Sequence, residues 1–299
     1  SAPHNTYTLD RLNTYQSGGG AYSVQQQTSV TPVGFGFAAK INVDTIDSSI
    51  AAGDYYMLTY NFEGHDTAQL EFGTSGAKTV TLSFYVRSSL TGTFSGAINN
   101  DASDRAYTFE YTIDSADTWE RKTITVAGDQ SGTWPGAVNT RSIKIRWALA
   151  LGSTYSNTAG SWASGDYYGT SNQVNLMATL NNTFYITGVQ LEVGEQATPF
   201  EHRSFGDELA RCQRYYETGR FAFKVPTEGV TNLASGMGGY HSFVTTKRAA
   251  PTLTSSNSTA EKVDTTSLNP YTSGIEFNGR VTDGTRSRWI GTFTADSEL

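Results

Sequence analysis

The sequence predicts an all-β protein: an antiparallel jelly-roll β-sandwich, then a short helix, then a second, smaller β domain. Three observations predict it. Apolar and polar residues alternate with period two in many short runs. Turn-forming clusters rich in Gly, Ser, Asn and Asp separate those runs, in a chain holding 30 Gly. A single stretch near the middle carries helical spacing instead.

Taken in order, the first strand candidates are 34–43 and 55–62. Val80, Leu82, Phe84 and Val86 then alternate with Thr79, Thr81, Ser83 and Tyr85. Further candidates are 93–99, then Tyr107 to Ile113, 119–126, Ile143 to Leu151, 173–179 and 184–193. The turn clusters DSSIAAGD, GTSGAK, NNDASD and AGDQSGTWPG lie between them. Strands with one apolar face pack as two stacked sheets, and ten or so of them favour a jelly roll. Trp119 and Trp147 stand in phase with apolar neighbours and belong to the core.

Near residue 204 the period changes. Ser204 and Asp207 form an S-x-x-D capping box, and Phe205, Leu209, Cys212 and Tyr216 recur on one helical face. Cys212 on that face reads as a buried thiol, and Arg211, Arg214 and Arg220 as partners of Asp207, Glu208 and Glu217. Strand signals resume at 215–225, 240–246, 251–255, 260–265, 273–278 and 286–294, with hairpin dipeptides at Asn278-Gly279 and Asp283-Gly284. The domains are therefore 1–200 for the sandwich, 201–216 for the connecting helix and 217–299 for the C-terminal β domain.

Composition limits the function classes. The net charge is −7, and residues 1–199 hold 10 Lys and Arg against 17 Asp and Glu. No basic stripe offers itself to nucleic acid. No apolar run approaches a membrane span, so membrane insertion is not expected. One Cys excludes an internal disulfide and a Cys-based zinc cluster. The four His are scattered, and there is no G-x-S-x-G elbow. Asp44 with Asp47, and Glu63 with His65 and Asp66, read as turn chemistry, so no enzyme, cofactor or metal is expected. Gly18-Gly19-Gly20 and GMGGY (236–240) read as turns. The opening SAPHNTY enters abruptly, as for a chain that has lost an upstream segment.

Charged residues are only 16%, while Thr, Ser, Asn and Gly abound, and such a neutral, hydroxyl-rich surface suits sugars or identical subunits. Two long loops, 127–141 and 152–172, carry aromatic residues. The candidate glycan-binding residues are Trp162, Tyr167, Tyr168, Tyr155 and Trp134, whose flat rings can stack on sugar faces. Asp166 and Asn157 beside them can bond hydroxyls. The competing role for these rings is packing, at the end of the sandwich or against another subunit.

The segments TLSFYVRSSLTGTF, TWERKTITVAGDQSGTW and FYITGVQLEVGEQATPFEHRSFGDELARCQRYY resemble a family of bacteriophage tail-fibre and virion-surface proteins, from about Tyr7 to Tyr216. The closing FTADSEL resembles the terminus of phage fibre proteins. The first domain is also similar to the jelly rolls of carbohydrate-binding modules. The resemblance implies a homotrimer on the virion, in the tail fibre or on the capsid surface, that contacts other virion proteins and attaches to host cell-surface polysaccharide. The alternative it leaves is a capsid-decorating or fibre-assembly protein without a glycan site. In the modules, an Asp in the last strand helps hold a structural calcium. Thr187 stands at that position here and supplies no charged oxygen.

Overall fold

The computed structural model describes residues 5–9, 11–225, 236–261, 263–281 and 287–298. The protein is all-β with a short helix, and it divides into two compact units, Ser1–Glu201 and His202–Leu299.

In the first unit the strands are β1 (Thr6–Leu9), β2 (Leu12–Ser17), β3 (Ala21–Gln27), β4 (Ala38–Thr45), β5 (Tyr55–Glu63) and β6 (Val80–Ser88). They continue as β7 (Gly92–Asn100), β8 (Arg105–Ile113), β9 (Glu120–Val126), β10 (Arg141–Leu151), β11 (Trp162–Ser164) and β12 (Thr183–Val193). A one-turn helix, α1 (Gly64–Thr67), follows β5. Seven strands form one antiparallel sheet in the order β1-β2-β5-β10-β7-β8-β11, and five form the other in the order β3-β4-β12-β6-β9. The chain crosses repeatedly between them, which makes the jelly-roll sandwich.

Alternation explains the packing. Ile143, Ile145, Trp147 and Leu149 of β10 point inward with Phe94, Ile98, Phe109, Tyr111 and Leu58 of its sheet. They meet Val80, Leu82, Phe84, Val86, Phe184 and Ile41 from the facing sheet. Phe84 sits edge-on to Tyr111 at 5.2 Å and to Trp147 at 5.7 Å, so the two layers interdigitate through aromatic rings. The phenol of Tyr22 on β3 donates to the Met57 carbonyl on β5 at 2.8 Å, tying one sheet to the other. Burial accordingly raises the pKa of that phenol.

Several expectations change. Strands β1 to β3 were not legible as strands, because their Gln, Ser and Asn give little apolar alternation. The expected strand 173–179 is a tight turn around Leu176–Ala178, because the Asn175 side chain accepts from the Met177 N–H at 2.9 Å. Trp119 precedes β9 and is half-buried against Tyr185. Strand β12 bulges between Thr187 and Gln190, where Gly188 has φ +59°. The Thr187 hydroxyl donates to the Phe37 carbonyl at 2.8 Å.

In the second unit α2 (Phe205–Gln213) precedes β13 (Tyr216–Val225), β14 (Gly236–Ser242), β15 (Thr252–Glu261), β16 (Val263–Tyr271), β17 (Gly274–Val281) and β18 (Ser287–Asp296). Two three-stranded sheets, β13-β18-β15 and β14-β17-β16, enclose a core of Phe221, Phe243, Ile275, Phe277, Trp289 and Phe293. The capping box forms: Ser204 Oγ accepts from the Asp207 N–H at 3.2 Å and donates to its carboxylate at 2.6 Å. The apolar face of α2 is not buried as expected: Phe205 is 81% exposed, Leu209 is exposed, and Cys212 is partly exposed. The acidic partners also differ. Glu208 pairs with Arg203 and Glu217 with Lys247. GMGGY forms β14 rather than a turn, and Asn278-Gly279 lies inside β17 rather than at a hairpin. Asp283-Gly284 lies outside the described residues.

Candidate functional site

The outward face of the seven-stranded sheet is polar, yet it is not solvated. On β10 the residues alternating with the core set are Ser142, Lys144, Arg146 and Ala148, and all are buried. Register fixes their neighbours. Arg146 stands opposite Thr59 on β5 and Ala97 on β7, and Thr59 stands opposite Asn13 on β2. One row along, Lys144 stands between Asn61 and Asn99. Lys144 is 4% exposed and Arg146 6%.

Loop 152–172 roofs the β7–β8 side of this face. The Thr108 hydroxyl donates to the Thr158 carbonyl at 2.7 Å, and the Asn99 side-chain amide donates to the Tyr167 carbonyl at 3.0 Å. The Thr170 N–H donates to the Ser95 hydroxyl at 3.0 Å. The turn at 101–104 covers Lys144, whose ammonium donates to the Asp101 carbonyl at 3.0 Å and to the Ser103 hydroxyl.

Beneath this cover, hydrogen bonding is incomplete. Asn13 Oδ1, Thr59 Oγ1, Asn61 Oδ1, Asn99 Oδ1 and Arg146 Nε are buried and have no protein partner among the described residues. Each unmet buried group costs roughly 1–3 kcal/mol, so such a cluster calls for partners from outside the chain, either ordered water or the polar groups of a ligand. Trp147 Nε1 and Tyr111 Oη are also unmet, but both belong to core residues between the sheets. The five on the outward face occupy adjacent strands and neighbouring rows.

Tyrosines flank the unmet atoms. Tyr15, Tyr55 and Tyr155 are half-buried, and Tyr168 is buried. Tyr155 stacks on Tyr168 with centroids 4.4 Å apart, and Tyr55 meets both rings edge-on at 5.2 and 5.4 Å. The Arg146 guanidinium lies 4.3 Å from the Tyr168 ring centroid and donates to Asp166 at 3.0 Å, and the Tyr168 hydroxyl donates to the same carboxylate at 2.7 Å. Burial raises the Tyr55 pKa, with the neighbouring Tyr155 adding to it and Arg146 opposing it. Burial above all, then the Arg146 and Arg141 charges, pushes the Lys144 pKa down to about 7.

Of the residues expected from sequence, Tyr155, Tyr168 and Asp166 come together around Arg146. Tyr167 contributes its carbonyl to Asn99, and its ring packs over Gly165, where a Cβ would lie 2.7 Å from it. Asn157 anchors the loop through its backbone N–H to the Gly169 carbonyl at 3.0 Å. Trp162 and Trp134 sit elsewhere, half-buried on the core side of the sheet. Their rings meet at 5.4 Å, both are edge-on to Phe72, and their indole N–H groups donate to the Ala127 and Ser131 carbonyls. Neither is the free loop ring that sequence suggested. Lys144, Arg146, Thr59, Asn13, Asn61 and Asn99 were missed. Their one sequence signal is the pair of cations two residues apart in a strand of a charge-poor domain.

No family model and no curated protein matches the chain. Among solved structures it is similar to the enzymatically active domain of tailspike protein 4 from bacteriophage CBA120, with a TM-score of 0.37 and 11% identity over 62% of this chain and 20% of that one. It is similar to the family 11 carbohydrate-binding module from Clostridium thermocellum, solved with a β-1,3-1,4-mixed-linked tetrasaccharide, with a TM-score of 0.34 and 11% identity over 66% of this chain and 96% of the module. A CBM4 structure gives a TM-score of 0.35 and 15% identity over 62% of this chain and 88% of that one.

Proposed function

We propose that this chain is a non-catalytic virion protein, in a phage tail fibre or on the capsid surface, whose first unit binds host-surface glycan on the outward face of the seven-stranded sheet. The observation that carries the glycan reading is the cluster of unmet polar atoms on β2, β5, β10 and β7 beside half-buried tyrosine rings. Sugar hydroxyls both donate and accept, so they satisfy carbonyl, hydroxyl and guanidinium groups together, while a ring face of the sugar lies on an aromatic side chain. The virion assignment rests on the sequence resemblance around GVQLEVGEQATPFEHRS. A homotrimer would present three such faces and raise avidity by orders of magnitude where all engage one surface.

A second reading, assembly without a glycan site, is favoured by the exposed apolar residues of the second unit, Phe205, Leu209 and Val244. Glycan-array binding of the wild type beside Tyr55→Ala and Trp162→Ala separates the two. Removing the Tyr55 ring should weaken binding roughly tenfold, the weight of a stacked aromatic contact. Loss on Trp162→Ala alone, with Tyr55→Ala unchanged, would move the site to the other aromatic group. No binding by the wild type would leave the assembly reading.

A further inference from the structure

Resting on that reading, we propose that the glycan is acidic, carrying a carboxylate that Lys144 and Arg146 recognise on the outward face of β10. Three observations lead to it. Lys144 is buried, yet among the described residues no carboxylate oxygen lies within 4.0 Å of its ammonium, which is held only by the Asp101 carbonyl and the Ser103 hydroxyl. A buried ammonium is retained only where an anion or a rich set of acceptors compensates it. Two residues away on the same face, Arg146 keeps a buried Nε–H without a protein partner among the described residues, although its Nη1 is committed to Asp166.

The third observation concerns the rest of the ligand. Lys144 is flanked in register by Asn61 and Asn99, and the Oδ1 of each is an unmet acceptor. A bare anion such as phosphate would face those oxygens unfavourably. A sugar acid does not, because its hydroxyls donate to the asparagines while its carboxylate takes the two cations. The first domain is net acidic, so this pair is a local exception and not part of a general basic surface. Selectivity for an acid therefore comes from these two side chains and not from long-range attraction.

The test is an array of hexuronic-acid oligosaccharides, each printed beside its carboxyl-reduced neutral counterpart of the same linkage, probed with the full chain. The wild type should favour the acidic member of the bound pair by about tenfold or more, the weight of a charge-assisted hydrogen bond. In Lys144→Met that ratio should fall towards one, with the fold checked by circular dichroism. A readout on the unmodified protein stands beside it. The sugar carboxylate stays ionised between pH 6 and 8.5, whereas Lys144 loses its proton in that range, so the acid preference should shrink as pH rises. The charged groups facing Lys144 are Arg141 and Arg146 on its own strand, Asp101 in the covering turn and Asp166 in the loop. Equal binding of acidic and neutral members at every pH would overturn the inference and leave glycan binding intact. Preference for an acid that Lys144→Met does not change would also overturn it. No binding to either member of any pair would remove both the inference and the glycan reading beneath it.

Discussion

Among the described residues two lysines are buried, one in each unit, and they are compensated differently. Lys247 in the second unit is 1% exposed and meets the Glu217 carboxylate at 2.7 Å. It also donates to the Gln213 carbonyl and lies 4.6 Å from the Phe243 ring centroid. Lys144 in the first unit, 4% exposed, bonds only neutral oxygens among the described residues. Burial lowers both pKa values, and only at Lys247 does a bonded carboxylate push back. The difference teaches what each is for. A buried cation with its own carboxylate fastens the loop at 247 to β13. A buried cation without one fastens the turn at 101–104 through neutral acceptors alone, and its charge is the part that the proposed acid contact would compensate.

The largest expected effect breaks the first half of this comparison. Lys247→Met should destabilise the second unit by about 3–5 kcal/mol, because Glu217, itself buried, is left unpaired. Hydrogen exchange of the β13 and β18 amides measures it. The double variant with Glu217→Gln should recover much of the loss, since no charge then remains buried. A loss below about 1 kcal/mol would mean that the pair is solvated and behaves as a surface ion pair.

Lys144→Met should have the opposite sign. Removing a buried, uncompensated ammonium should raise the stability of the first unit by about 1–3 kcal/mol at pH 6, read by denaturant unfolding. The pH dependence sharpens this. The folded-state pKa is about 7, below the ordinary lysine value. Below about pH 7 both the folded and the unfolded chain hold the proton, and the full penalty of burial is present. Above it the folded chain releases the proton first, the unfolded chain binds more, and stability on this account rises with pH. The gap between the variant and the wild type should therefore narrow steadily from pH 7 towards 10. A gap that is constant across that range, or a variant that is less stable than the wild type, would make Lys144 a structural lysine like Lys247.

How much of this was legible in the sequence follows from what each face touches. Strands β6, β8, β10 and β12 were readable because Val80 to Val86, Tyr107 to Ile113 and Ile143 to Leu151 alternate against a dry core. The same alternation concealed the covered polar face. Ser142, Lys144 and Arg146 look like the solvated side of a two-faced strand, and nothing local distinguishes a polar face under water from one roofed by residues 152–172. The surroundings of the loop aromatics were hidden in the converse way. Trp134 and Trp162 stood in turn-rich sequence, and only the distant Phe72 gives them a wall to pack on. Tyr155, Tyr168 and Asp166 were legible as neighbours because they share one loop, while Arg146, which they surround, lies on a strand.

The smallest expected effect tests the unmet polar atoms themselves. Thr59 is fully buried, its hydroxyl has no protein partner among the described residues, and it stands between Asn13 and Arg146 in register. Thr59→Val keeps the shape and removes only the hydroxyl. If that hydroxyl is held for a ligand, the free protein should gain about 1 kcal/mol, since an unsatisfied buried group disappears. Glycan affinity should fall a few-fold at the same time, as one hydrogen bond to sugar is lost. Stability and binding then move in opposite directions, the pattern of a group retained for function at the expense of the fold. A hydroxyl already satisfied by trapped solvent would instead make the variant less stable by a similar amount. That result, read by denaturant unfolding of the unliganded chain, would turn the polar face of β5 and β10 into a hydrated interior and take the glycan site away from it.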